Sequence, residues 1–142
     1  MIYKLVYFSQ ESFKFTEPTL KDLLKVSREN NAKNNITGVF IYSQGDIVQI
    51  LEGDEKNVKE LYEKIIDDKR HTNLRLLIKG ESKIRNFPDW FMGFKSLDEN
   101  TYSAYLEQNN FLEKINFKDF MFNQEKPIET IIELVNGKYD FS

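Results

Sequence analysis

Three stretches in the first 51 residues have the composition of β-strands. Residues 2–9, 36–42 and 46–51 are rich in β-branched and aromatic side chains, which pack well on a pleated surface. The segment SQGD joins the second stretch to the third, and its glycine is available for a positive φ, so these two are expected to form a hairpin. In the first and third stretches both alternating sets of residues are largely apolar, which predicts strands covered on both faces.

Two further segments have the spacing of α-helices. In residues 16–31 three leucines fall on one helical face and Thr16 is placed to cap the first turn, so we expect this helix to end near residue 31. In residues 54–71 Asp54 is a second candidate cap, and apolar side chains again recur at helical spacing, at Val58, Leu61 and Ile65.

Two more strands are predicted, over residues 72–82 and 90–97. The order strand, helix, hairpin, helix, strand is that of the ferredoxin-like, or split βαβ, arrangement of the α+β class. We therefore expect a βαββαβ sheet extended by a fifth strand, with two helices on one face. This architecture hosts many functions, so the fold alone does not define one.

The chain changes character after residue 96. Residues 97–142 are polar with amphipathic stretches, and Pro127 starts a helical pattern that Gly137 is placed to end. We expect two units, a domain over residues 1–96 and a short helical C-terminal extension over 97–142. The apolar stripe of the predicted helix consists of Ile128, Ile131, Ile132 and Val135.

Composition removes several classes of function. The net charge is −3 with basic and acidic residues interspersed, which disfavours a nucleic-acid surface. Cysteine is absent and His71 is the one histidine, so disulfides, thiol nucleophiles and the common zinc sites are not expected. No segment approaches the apolar length of a membrane span. We expect a cytoplasmic protein that binds neither nucleic acid nor membrane, and no metal.

One polar side chain interrupts the third strand. Gln49 stands in DIVQILEG among aliphatic residues, and a buried amide without partners costs about 1–3 kcal/mol. Either its neighbours or a ligand must satisfy it. Two helices on one face of a sheet leave a slot between them that admits a flat aromatic cofactor. The two predicted helices end in ENNAKNN and DDKRH, which offer donors and acceptors to the edges of such a ring.

Five ordered motifs resemble those of the BLUF domains, a family that senses blue light using flavin. They cover roughly the first two thirds of the chain, and together they form a stronger signal than any one alone. The motifs are LVYFS at 5–9, ENNAKNNITG at 29–38, YSQGDIVQILEG at 42–53, DDKRH at 67–71 and FPDWFMGF at 87–94.

The resemblance assigns roles to individual residues. It implies that Tyr7 is the photoactive tyrosine, that Gln49 is the switching glutamine, and that Asn31 holds the carbonyl and imide edge of the flavin. Trp90 and Met92 match the strand-five pair thought to relay the signal. Further cofactor contacts are implied for five polar residues, Asn30, Lys64, Asp68, Arg70 and His71.

The resemblance also implies a cofactor and a mechanism. FAD is the expected flavin, with FMN and riboflavin as alternatives, because the implied contacts are mainly to the ring. Blue light would move an electron from Tyr7 to the flavin and a proton through Gln49, whose amide then rotates, tautomerises or does both. No catalytic output domain is expected, so the protein is predicted not to be an enzyme. The signal would leave through an unknown partner protein, and a homo-oligomer is expected.

Each residue also has an ordinary explanation. A strand tyrosine is usually a core side chain, Asn31 is placed to end a helix, and Arg70 and His71 favour the negative end of one. A non-photochemical module that binds a small ligand on the same fold is therefore the alternative function. A small enzyme of the acylphosphatase kind is disfavoured, because YFSQESFKF after the first strand has neither the arginine nor the glycine of a phosphate loop.

Overall fold

A five-stranded sheet forms the centre of the computed structural model, which describes residues 1–97 and 117–136. The strand order is β4-β1-β3-β2-β5. Neighbouring strands run antiparallel except for β2 and β5, which are parallel. The strands are β1 Ile2–Glu11, β2 Thr37–Ser43, β3 Asp46–Gly53, β4 His71–Ser82 and β5 Gly93–Ser96.

Side-chain caps begin the two helices of the ferredoxin-like unit. The Thr16 hydroxyl accepts a hydrogen bond from the amide of Thr19, and the Asp54 carboxylate accepts one from the amide of Asn57. Both capping residues were predicted from the sequence, and the α+β arrangement with a fifth strand is confirmed. The helices are α1 Glu17–Asn34, α2 Glu55–Ile66, α3 Phe117–Phe122 and α4 Pro127–Val135.

Most predicted boundaries agree with the structure to within two residues, and three differ by more. Helix α1 continues about one turn past residue 31 to Asn34, and the capping residue that follows, Asn35, adopts the left-handed conformation with φ 52°. Helix α2 stops at Ile66 rather than continuing to His71, which begins β4. The reason lies in Asp68, whose carboxylate accepts the Arg70 amide at 2.9 Å and so closes a turn that competes with the helix.

The fifth strand begins later than predicted, at Gly93 rather than at residue 90. Trp90 and Met92, which the prediction placed within this strand, therefore lie before it. The preceding carbonyls are occupied by groups from other elements: the Trp90 carbonyl accepts the Gly38 amide at 2.9 Å, and the Met92 carbonyl accepts Nε of Arg28 at 2.9 Å.

The sheet is covered on both faces, as the apolar runs of β1 and β3 predict. Helices α1 and α2 cover one face, where Leu5, Phe40 and Leu51 are among the buried residues. Helices α3 and α4 cover the other face, where Phe120 and Ile131 pack with the opposite side chains of the same strands. Helix α4 confirms the predicted start at Pro127, and Gly137 lies outside the described residues. The division into units at residue 96 stays a prediction.

A buried ion pair joins β1, β3 and the segment before β5. The Lys4 ammonium lies 3.0 Å from the Glu52 carboxylate, which has no exposed surface. The same carboxylate accepts the backbone amides of Asn86 at 2.7 Å and Phe87 at 2.8 Å. Lys4 also donates to the side-chain oxygen of Asn86. Since every partner is present, the desolvated charges are compensated and the segment is fixed to the sheet.

Replacing Glu52 with glutamine is expected to destabilise the protein by about 3–5 kcal/mol, because Lys4 would keep a buried charge without its counter-ion. Urea unfolding at a fixed concentration of any ligand measures this, since a bound ligand adds to apparent stability. The control is Glu60→Gln on the exposed side of α2, which should change stability by less than about 0.5 kcal/mol. Equal unfolding midpoints for the two variants would contradict the assignment.

Candidate functional site

A cavity of about 200 Å³ opens between α1 and α2 above the sheet. Aliphatic side chains of the two helices form its sides, with Leu23 and Val26 on α1 facing Leu61 and Ile65 on α2. Polar side chains line its floor and its ends. All eight cofactor-binding residues predicted from the sequence lie on its lining: Tyr7, Asn30, Asn31, Gln49, Lys64, Asp68, Arg70 and His71.

A chain of three side chains begins at the floor of the cavity and ends at Met92, which lines the neighbouring groove. Tyr7 on β1 and Gln49 on β3 are direct cross-strand partners, and the Tyr7 hydroxyl donates to Oε1 of Gln49. Nε2 of Gln49 in turn donates to the sulfur of Met92 at 3.2 Å. The buried amide is therefore satisfied by Tyr7 and Met92, and one N–H of its amide group remains for another acceptor.

Tyr7 is a neutral phenol in this site. Burial raises its pKa far above the ordinary value for tyrosine, and the nearby Tyr62 and Asp68 raise it further. The Tyr62 ring lies 5.9 Å from the Tyr7 ring, and the His71 ring lies 6.2 Å away in an edge-on arrangement. Tyr7 therefore keeps its proton at ordinary pH and acts as the donor to Gln49.

Asn31 forms one end of the cavity. It is buried on α1, and its Nδ2 donates to the carbonyl of Phe91 at 2.6 Å. This bond orients the amide and leaves Oδ1 as an acceptor. Asn30, the preceding residue, lies on the exposed rim. Asn31 thus links the cavity to the segment that carries Trp90 and Met92.

Charged side chains form the opposite end. Nε of Arg70 lies 3.0 Å from Oδ1 of Asp68, and this hydrogen bond with the guanidinium is the main cause of a lowered pKa at Asp68. Lys64 is exposed at the rim. Both ring nitrogens of His71 already have partners within the protein, because Nε2 donates to the Ile65 carbonyl and Nδ1 lies 2.9 Å from the Ser9 hydroxyl. Its ring therefore contributes shape to the cavity.

The two predicted relay residues occupy different places. Met92 is buried against Gln49, whereas Trp90 is 44% exposed, and neither is among the residues that line the cavity. Both line a neighbouring groove together with Phe91 and Phe94, and the Trp90 ring is stacked on Phe87. The structure therefore brings only Met92 to the Tyr7–Gln49 pair.

Sequence reasoning missed two residues that shape the site. Arg28 fixes the Met92 carbonyl, and Tyr62 packs beside Tyr7. A signal for each was present, since Arg28 precedes Asn31 by three residues and Tyr62 precedes Ile65 by three, which places each pair on one helical face.

The donor set fits a flat ring with polar edges. Aliphatic side chains line two opposite sides, and amide, hydroxyl and guanidinium groups lie at the floor and ends. Within residues 1–97 and 117–136 no group of three or more potential metal ligands is found, and no helix there is long and apolar enough to cross a membrane. The fold and site define a ligand-binding α+β domain.

Comparison with known proteins identifies the family. The model of the family described as "BLUF: Sensors of blue-light using FAD" matches residues 2–93. The chain belongs to the BLUF family, and BLUF domains bind flavin. This membership confirms the predicted resemblance and the prediction of a flavin-based blue-light sensor domain.

Relatives of known sequence are much longer than this chain. The blue light- and temperature-regulated antirepressor BluF of Escherichia coli K12 is 29% identical over 89 residues, which is 61% of this chain and 22% of that protein. The photoactivated adenylate cyclase subunit alpha of Euglena gracilis is 37% identical over 70 residues, 49% of this chain and 7% of that protein. The chain thus spans about a fifth or less of these relatives.

Solved structures match over nearly the whole chain. The ground state of BlsA is 30% identical, with a TM-score of 0.77, over 95% of this chain and 88% of that one. The dark-state structure of BlrB, a BLUF protein, is 21% identical with a TM-score of 0.76 over 96% of both chains, and supports the fold alone.

Replacing Asn31 with alanine is expected to weaken flavin binding about tenfold, because the loss of one buried hydrogen-bonding amide costs about 1–2 kcal/mol. Titration of the apoprotein with riboflavin, followed by quenching of flavin fluorescence, measures the affinity. Asn34→Ala, one turn further along α1 on the exposed surface, is the matched control and should bind like wild type. Equal affinity of the two variants would remove Asn31 from the binding site.

Proposed function

We propose that this chain is a blue-light photoreceptor in which the Tyr7–Gln49 pair switches the hydrogen bonds around a bound flavin, and that it signals by protein–protein interaction. The observation that carries the proposal is the chain of contacts from the Tyr7 hydroxyl through the Gln49 amide to Met92. Asn30, Asn31, Lys64, Asp68, Arg70 and His71 are proposed to surround the flavin.

The chemistry divides between the cofactor and the chain. A bound oxidised flavin supplies absorption of blue light and an electron acceptor. Tyr7 is suited to be the electron donor, because its ring lies at the cavity floor and its hydroxyl already donates to Gln49. An electron lost from Tyr7 makes that hydroxyl strongly acidic, so its proton would move toward Oε1 of Gln49.

Reversal of the Gln49 amide would exchange the role of each partner. The amide presents Oε1 to Tyr7 and Nε2 to Met92. After reversal Nε2 would face the Tyr7 hydroxyl, which is able to accept, while Oε1 would face the Met92 sulfur, which has no hydrogen to donate. Met92 must then move or lose its contact. Rotation, tautomerisation or both would thus bias the segment before β5, as a two-state element requires.

Replacing Gln49 with leucine is expected to leave flavin bound and to abolish the light-induced red shift, because no amide remains to bond differently. Absorption spectra taken in darkness, after blue light and during dark recovery measure the shift. Gln10→Leu serves as control, since Gln10 bonds to Asp46 at the far end of the β1–β3 ladder. A normal reversible shift in the Gln49 variant would refute the switch.

Replacing Tyr7 with phenylalanine tests the electron donor separately. The ring and its packing are kept while the hydroxyl that donates to Gln49 is removed, so pigment should remain and the photocycle should be lost. The same three spectra apply, with Tyr62→Phe as control because that ring lies 5.9 Å from Tyr7. Persistence of the full shift would exclude Tyr7 as the donor.

FAD is the flavin we propose, held mainly by its ring. The cavity of about 200 Å³ is below the roughly 300–1,000 Å³ of sites that enclose a whole drug-sized ligand. Lys64 at the exposed rim is the candidate phosphate contact.

An exposed ion pair contributes at most about 1 kcal/mol, so FMN should bind no more than about fivefold tighter than riboflavin. Lys64→Ala should remove this difference in affinity. A much larger preference of the wild type for FMN over riboflavin would contradict binding mainly through the ring.

The partner and the assembly state belong to the same proposal. A relative is described as an antirepressor and others as adenylate cyclase subunits, which supports output through a second protein or domain. We propose a cytoplasmic receptor that forms a homo-oligomer and binds an unidentified downstream protein. Light scattering on the lit and dark protein at several concentrations tests the assembly, and a monomer throughout would exclude the homo-oligomer.

A further inference from the structure

The Trp90 ring occupies the space that a side chain at position 93 would fill. A Cβ built on Gly93 would lie 2.4 Å from Cε3 of Trp90, closer than real Cβ contacts allow, and 3.0 Å from Cδ2. Gly93 is not among the residues with a positive φ, so its backbone suits any residue. Glycine is therefore needed here for space and not for conformation.

The ring is held in this position from other sides. It stacks on Phe87 with 5.9 Å between ring centroids and 17° between planes. The Phe87 amide is fixed by the buried Glu52 carboxylate, and the Trp90 carbonyl accepts the Gly38 amide. Both anchors come from the central strands of the sheet. The place of the Trp90 ring between Gly93 and Phe87, called its seat below, is thus fixed to the sheet.

The position of Trp90 bears on which residue contacts Gln49. Trp90 and Met92 are two residues apart on a short segment whose carbonyls at 91 and 92 are held by Asn31 and Arg28. With the indole seated in the groove, Met92 is buried and reaches the Gln49 amide. We propose that Gly93 is a positioning residue: it leaves room for the Trp90 ring in the groove and, through the short segment between Trp90 and Met92, keeps Met92 in contact with Gln49.

The first test uses Trp90 as its own reporter, because it is the one tryptophan of the chain. In Gly93→Ala the indole must leave its seat, so its emission maximum and its quenching by acrylamide should both change. The matched control is Gly80→Ala on β4, where an added Cβ meets nothing within 4 Å. Emission and quenching that equal those of wild type and of this control would overturn the proposal.

A double-mutant cycle separates the seat from any general effect on β5 and remains informative if Gly93→Ala folds poorly. Gly93→Ala should lower the melting temperature when Trp90 is present and leave it nearly unchanged in a Trp90→Ala background, because no ring is then displaced. The same loss in both backgrounds would mean that glycine serves the strand itself, and would overturn the proposal.

The effect on the switch rests on the proposed function. Gly93→Ala should give a smaller red shift than Gly80→Ala, because part of the population would start without the Met92–Gln49 contact; an undiminished shift would overturn the proposed link to Met92. The emission and melting measurements need no light response. If wild type shows no reversible shift, the proposed function fails while these two measurements still decide the seat.

Discussion

A buried amide that must be fully bonded is the constraint on which the site depends. Gln49 lies in the middle of the central strand β3, opposite Tyr7 on β1. In a low-dielectric interior an unpaired amide is costly, so each orientation of Gln49 has to find partners. The phenol of Tyr7 is able to donate or accept, but the thioether of Met92 only accepts. Met92 therefore makes the two amide orientations unequal.

The difference between the two amide orientations acts on the segment from residue 85 to residue 92, because Met92 belongs to it. Side chains of other elements hold the backbone of this segment. Arg85 donates to the carbonyls of Asn35 and Glu52, and the Glu52 carboxylate binds two amides of the segment. Asn31 and Arg28 on α1 hold the next carbonyls. Few contacts in this segment are therefore free to relax, so a change at Met92 strains bonds to both β3 and α1.

The parts of the fold that follow from local pattern could be predicted from the sequence. Thr16 and Asp54 cap helices through bonds to residues three positions away. The hairpin turns at Gln44 and Gly45, which both have a positive φ. The start of β5 could not be predicted, because the carbonyls before it bond to Asn31 and Arg28, about sixty residues earlier. The residues that line the site were predicted from several motifs taken together. The bonds to both nitrogens of His71 could not be predicted, because they join three separate elements and correspond to no local sequence pattern.

The two cores of the protein meet within a few residues of the switch. Met92 belongs to the core under α1 and α2, and Leu97 belongs to the core under α3 and α4. Only the short strand β5 lies between them, and the Leu97 amide is tied to the Tyr42 carbonyl at 2.8 Å. A displacement of Met92 therefore has a short covalent route to the core on the opposite face. Packed cores shift between discrete arrangements rather than deform smoothly.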